Sequence, residues 1–195
     1  MTKRALTLEM LDLRYPQSAC IRTYTDGSAT EAVRRGGAGI YIQHPYWWRQ
    51  AEAIPTGLHW SNYKAETETL KHAARIIQTE ENSLVVLLTD AKSVLEALTA
   101  GKLPQLQEEI QQIRGFGGVL QWIPSHCGIS GNEEADRLAK LWGWTWASNK
   151  QCKLWRYENH NQILVQSTTN PRQLPFSDKT GAGYNFPTQK WTKQA

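Results

Sequence analysis

Apolar and polar positions alternate along "IRTYTD" at 21–26, the two-residue period of a half-buried strand. "GAGIYIQ" (37–43) and "RQAEAIP" (49–55) read as two more, and the three predict an antiparallel meander. The period then changes. "SNYKAETETLKHAARIIQ" (61–78) opens on the capping residues Ser61 and Asn62 and runs on without Pro or Gly, as a helix should. Leu84–Leu88 is an unbroken apolar run of strand length, suited to a strand buried on both faces at the centre of a sheet. "AKSVLEALT" and "QLQEEIQQIR" predict two short helices, the second with Leu106, Ile110 and Ile113 on one stripe. "GVLQWIP" predicts a fifth strand, and "NEEADRLAKL" a last helix starting at Asn132. The order βββαβααβα implies an α/β domain with a mixed sheet. Ahead of it, "ALTLEMLDLRYP" reads either as a short helix with Leu6, Met10 and Leu13 on one face or as a linker.

The pattern fades after Leu141. The segment from Trp142 has only seven Leu, Ile, Val or Phe residues but five of the nine tryptophans, a composition that predicts no packed core. Three segments follow: a lead at 1–20, a domain at 21–141 and a basic, low-hydrophobicity tail at 142–195 expected to be unstructured. Charge follows the same division. Residues 1–141 carry 15 Lys and Arg against 16 Asp and Glu, whereas 142–195 carry 7 against 2. The net charge of +4 therefore resides in the tail, and any dealing of the domain with a polyanion cannot depend on bulk positive charge. Cys20, Cys127 and Cys152 are odd in number and widely spaced, which indicates neither a disulfide framework nor a zinc site. No apolar run has membrane-spanning length and "MTKRALTLEM" lacks a signal-peptide core, so the expectation is an intracellular protein, cytoplasmic or nuclear, with no membrane partner.

Two strand runs end in Thr-Asp, at Asp26 and Asp90. Either could be a turn residue; together they suggest a shared site. The helix at 61–78 adds a third acid. At ~100° per residue, Glu66 falls within about 40° of Leu70, Ala73 and Ile77 and so emerges on the sheet-facing side, while Glu68 lies ~200° away in solvent. A carboxylate on a buried face is costly without compensation. Three carboxylates ~5 Å apart repel by roughly 3 kcal/mol per pair at an effective dielectric of ~20, which calls for protons or metal ions. Asp136 is a fourth candidate, on the side of His126 in the preceding loop. Glu133, Glu134 and Asp136 are also explained by a helix dipole with Asn132 as cap. His126 alone could be a packed loop histidine, Cys127 a small buried side chain, and Trp47 and Trp48, in a hairpin loop, either incidentally exposed or packed on the sheet rather than a base-stacking platform.

The stretches "YTDGSAT", "NYKAE", "LLTDAKSVLEAL" and "WIPSHCGISGNEEADRLAK", in this order and spacing over 21–141, resemble the type 1 ribonuclease H family, in particular its retroelement (non-long-terminal-repeat retrotransposon) branch. The resemblance implies a ribonuclease H-like mixed five-stranded sheet in order 3-2-1-4-5 flanked by helices. It implies that Asp26, Glu66, Asp90 and Asp136 are metal ligands and that His126 assists product departure. Gly27, Ser28, Asn62 and Asn132 would lie near the RNA strand, and Ser61 would contact a DNA phosphate. The expected cofactor is a pair of Mg²⁺ ions, with Mn²⁺ as a substitute, holding the attacking water and leaving oxygen of an in-line phosphodiester displacement. The expected partner is an RNA/DNA hybrid, its RNA strand distinguished through 2′-hydroxyls in a wide, shallow minor groove. No Y-x-D-D motif is present, so a reverse transcriptase partner would lie outside this chain. The short linker "AGKLP" leaves no room for the basic protrusion by which cellular members grip the hybrid. Two other readings are a different nuclease or integrase of the same fold, against which the H-x-G-x-x-G-N-E-x-A-D ending argues, and a non-catalytic relic or binding module. Family members commonly continue "LAKLGA" where this chain reads "LAKLWGW". Because the single tryptophan codon read one base later specifies glycine, the tail is expected to be a frameshift product, a point the nucleotide sequence decides.

Overall fold

The computed structural model describes residues 1–30, 35–57, 60–78, 83–113, 118–145, 154–159 and 162–167. Strands β1 (Cys20–Thr30), β2 (Arg35–Gln43) and β3 (Arg49–Gly57) form the expected meander. Helix α2 (Asn62–Ile77) follows, then β4 (Leu84–Thr89), α3 (Lys92–Thr99), α4 (Pro104–Gln111), β5 (Gly118–Trp122) and α5 (Ser130–Thr145). The lead segment is helical, α1 (Lys3–Arg14). Strands β6 (Leu154–Asn159) and β7 (Gln162–Ser167) complete the described elements, and the sheet runs β5-β4-β1-β2-β3-β6-β7. Its first five strands are the mixed 3-2-1-4-5 sheet expected from the sequence. β1 is antiparallel to β2 and parallel to β4, and β4 is parallel to β5.

β4 shows why its apolar run is unbroken. Val85 and Leu87 face a core closed by Leu70, Ala73 and Ile77 of α2 and by Leu106 and Ile113 on the α4 side. Val86 and Leu88 face the other core, with Tyr24, Leu11 of α1 and Ala135 and Leu138 of α5. Alternate residues of one strand thus feed two helical layers. The stripe Leu106, Ile110 and Ile113 packs as expected.

Two details depart from expectation. α1 buries Thr7 and Leu11, while Leu6 is 51% and Leu13 76% exposed. The buried face is decided by the far end of the helix, where the guanidinium of Arg22 on β1 donates to Tyr15 O (2.7 Å), Leu11 O (3.0 Å) and Asp12 Oδ1 (2.8 Å). A buried arginine that caps helix carbonyls fixes the rotation of the helix as well as its place. α5 begins two residues before Asn132, because Ile129 is buried and its carbonyl accepts from Glu133 N (3.0 Å), so Asn132 lies inside the first turn rather than capping it. In the tail, α5 continues past Leu141 to Thr145, and β6 and β7 form a hairpin on the outer side of β3, with Ala51↔Arg156 and Arg156↔Val165 in register. "LWRYEN" and "QILVQS" hold the β-branched and aromatic residues that favour pairing. Residues 146–153 and 168–195, with Cys152, lie outside the described residues.

Candidate active site

The β1–β4 register places Thr25 beside Thr89, so the next residues, Asp26 and Asp90, emerge side by side. Asp90 is held through its backbone: its carbonyl accepts from Lys92 N (2.9 Å) and from the Trp122 indole (3.2 Å). Glu66 arrives from α2. A Cβ on Gly27 would lie 2.3 Å from Glu66 N and 2.6 Å from Ala65 C, so only glycine lets the helix backbone rest on the strand here. That contact brings the Glu66 carboxylate to Asp26. Ligand oxygens of Asp26, Glu66 and Asp90 all lie within 4.8 Å of one another.

Burial and mutual repulsion set the protonation of this group. Asp26 is 9% and Glu66 8% exposed. Desolvation first, and then the charges of Asp90 and Asp136, push Asp26 up from 3.8 to about 7, against the opposing pull of Lys140 and His126. Desolvation, then Asp26, pushes Glu66 up from 4.5 to about 9, although a hydrogen bond from the Gly27 backbone opposes the rise. Both folded values exceed the unfolded ones, so the stability these groups contribute is full below about pH 4 and is lost as pH rises through 7 to 9. In EDTA the thermal midpoint should therefore fall steadily from pH 5 to pH 9. Asp26→Asn should flatten that slope, and a slope equal to the parent's would contradict the assignment.

The other expected residues divide around this centre. Gly27, Ser28, Asn62, His126 and Asp136 line one open cleft of about 400 Å³ together with Asp26, Glu66, Asp90 and Lys140. Asn62 Oδ1 accepts from Ala29 N (3.0 Å), tying the end of β1 to the start of α2. Ser61 caps α2, accepting from Lys64 N (3.3 Å), and is not among the lining residues. Asn132 is 2% exposed, and its amide donates to Asp90 Oδ2 (3.3 Å) from beneath. Asp136 stands apart from the three-acid group. Its Oδ2 accepts from Lys140 Nζ at 2.6 Å, one helical turn on. Trp48 packs against His44 with ring centroids 3.7 Å apart and planes tilted by 53°, and is not among the residues lining the cleft. Cys127 is half-buried and donates to Pro124 O (3.3 Å). Lys140 and Trp122 were not identified from the sequence; the i, i+4 spacing of Asp136 and Lys140 was the available signal for the first.

The donor set suits a hard divalent cation. All three clustered acids offer oxygen, as Mg²⁺ or Mn²⁺ prefer. Glu66 Oε2 is buried with no hydrogen-bond partner among the described residues, an acceptor that a cation would satisfy. Burial and repulsion raise the pKa of Asp26 and Glu66 for lack of a compensating charge, which such an ion would supply.

Residues 18–142 match the family model described as RNase H. Human ribonuclease H1 is 28% identical over 142 residues, covering 60% of this chain and 48% of that protein, so the chain spans about half the length of this curated relative. Two solved structures share the fold, each with a TM-score of 0.52. RNase H1 of the halophilic archaeon Halobacterium salinarum NRC-1 is 18% identical, over 62% of this chain and 94% of that one. LC9-RNase H1, a type 1 enzyme with the type 2 active-site motif, is 21% identical, over 64% of this chain and 72% of that one.

Proposed function

Because this chain belongs to the RNase H family, we propose that it is an endonuclease that hydrolyses the RNA strand of RNA/DNA hybrids with divalent metal ions, Mg²⁺ in the first place, and that it derives from a retroelement. The observation that carries this reading is the convergence of Asp26, Glu66 and Asp90 within 4.8 Å at the wall of a cleft that Asp136 and His126 also line. In this reading those three acids hold the ions, and Asp136 joins them by exchanging its lysine partner. Bound there, the ions supply a polarised water and neutralise the phosphate charge of an in-line displacement.

The chain's own groups do the rest. Asn132 orients Asp90 through its amide, and the close backbone approach at Gly27 fixes Glu66 against β1. His126, in the left-handed region at φ 48°, lines the same cleft as Asp26, within reach of a departing oxygen that it would assist. Ser28 and the Asn62 amide nitrogen face the minor groove, where a 2′-hydroxyl distinguishes RNA from DNA. Small polar contacts of this kind need no basic surface, which suits a domain of balanced charge. Ser61 at the rim offers its hydroxyl to a DNA phosphate.

The test is a strand-labelled hybrid incubated with the full chain, with and without Mg²⁺, beside duplex DNA and duplex RNA. Cleavage confined to the RNA strand of the hybrid, and only with the ion, is the expected result. Equal cutting of duplex DNA would favour another nuclease of this fold, and binding without cutting a non-catalytic relic.

A further inference from the structure

Helix α1 lies outside the span matched by the family, yet it reaches the active-site end of the domain. Its last turn is tied to the start of β1 by Arg22. From there its 12 residues run back ~18 Å, about the rise from Cys20 to Asp26 along β1. Leu11 is fully buried in one cluster with Ile123 and Ile129. Those two residues bracket the loop that carries Ser125 and His126. The loop holds two residues in the left-handed region, His126 at φ 48° and Gly128 at φ 81°, so its shape depends on what surrounds it. From α5, Glu133 Oε1 accepts from Gly128 N (3.2 Å). From α1, the exposed side chain of Arg4 lies against the same glycine: its Cδ and Nε are 3.4 and 3.6 Å from where a Cβ on Gly128 would stand.

We propose that Arg4 is a positioning residue for His126. Through the turn at Gly128, the first turn of α1 keeps the loop in the conformation that holds His126 at the cleft it shares with the acids. The proposal rests on the role given to His126 above.

The test uses Arg4→Ala, Arg4→Lys, His126→Ala and the two double variants in the full chain. Steady-state cleavage, hybrid affinity in Ca²⁺ and the thermal midpoint are measured for each. Arg4→Ala should lower kcat several-fold, with affinity unchanged and the midpoint within a few degrees, since the side chain is exposed. Arg4→Lys, which keeps the stem, should recover most of that loss. In the His126→Ala background Arg4→Ala should have little further effect, because both changes remove one contribution. Multiplying losses would overturn the proposal, as would an unchanged kcat. Weaker binding with a flatter salt dependence would make Arg4 a phosphate contact instead. If His126→Ala itself leaves turnover unaltered, the role of His126 fails and the proposal falls with it; the proposal fails alone when His126→Ala slows turnover and Arg4→Ala does not.

Discussion

Asp90→Asn should lower hybrid cleavage in Mg²⁺ by about a thousandfold or more, roughly 4 kcal/mol of transition-state stabilisation, while leaving the fold at least as stable as before. The two effects have separate causes. The change keeps the side chain's shape, and the new amide oxygen can still accept from Asn132, so the backbone bonds that fix residue 90 are undisturbed. It removes a negative charge that helps to raise the pKa of both Asp26 and Glu66. Without metal that is a relief of repulsion; with metal it is the loss of a ligand. Cleavage rate and thermal midpoint in EDTA, measured on the same preparation, check both halves. Near-normal turnover of the variant in Mg²⁺ would remove Asp90 from the ligand set.

Gly39→Ala should destabilise the domain by about 3 kcal/mol or more, the upper end of what overpacking costs. A methyl at this position would lie 1.9 Å from Ala135 O and 2.6 Å from Ala139 N, and both are backbone atoms of α5 that no rotamer change can withdraw. The helix would have to lift from β2, loosening Ala135 and Leu138 from Tyr24 and Tyr41. Gly39 is also the partner of Asp26 in the β1–β2 ladder, and Asp136 directly follows Ala135. Activity should therefore fall along with stability. Thermal melts check the first effect, with a drop of about 10 °C expected for a domain of this size. Parent-like stability would mean that α5 can shift without cost.

The sequence conveyed most of the sheet because its signals there are local. Two-residue alternation in β1, the apolar run of β4 and the helical period of α2 each follow from burial of a strand or a helix face. The same periodicity set Glu66, 8% exposed, apart from Glu68, which is not in solvent as expected but half-buried, accepting from a Lys71 that is itself buried and donates to Gln105 of α4. Failures came where a distant residue decides a local question. Of the stripe Leu6, Met10 and Leu13, Met10 packs against the core beside Leu11 while Leu6 and Leu13 stay exposed, and the Arg22 guanidinium on another element holds the helix in that rotation. Thr7 can be buried because its hydroxyl donates to Lys3 O (2.9 Å), a satisfaction that hydropathy does not register. Asn132 has the composition of a cap, but burial of Ile129 starts the helix earlier and turns the asparagine toward Asp90. In the candidate site, periodicity could supply the acids but not the spacer between them. That Gly27 is where α2 touches β1 depends on the packing of two elements far apart in the chain.

The parallel pairing of β1 with β4 bears on the kinetics of folding. It joins Cys20 to Leu84 and Thr25 to Thr89, across an intervening meander and helix, and such long loops close slowly. The acid cluster straddles this junction, with Asp26 on one side, Asp90 on the other and Glu66 on the helix laid over it. No fragment short of the closed junction presents all three oxygens. An ion that contacts all of them reaches its full affinity only after the slow step has passed, so it should act as a brake on unfolding while the refolding limb of the chevron stays where it was.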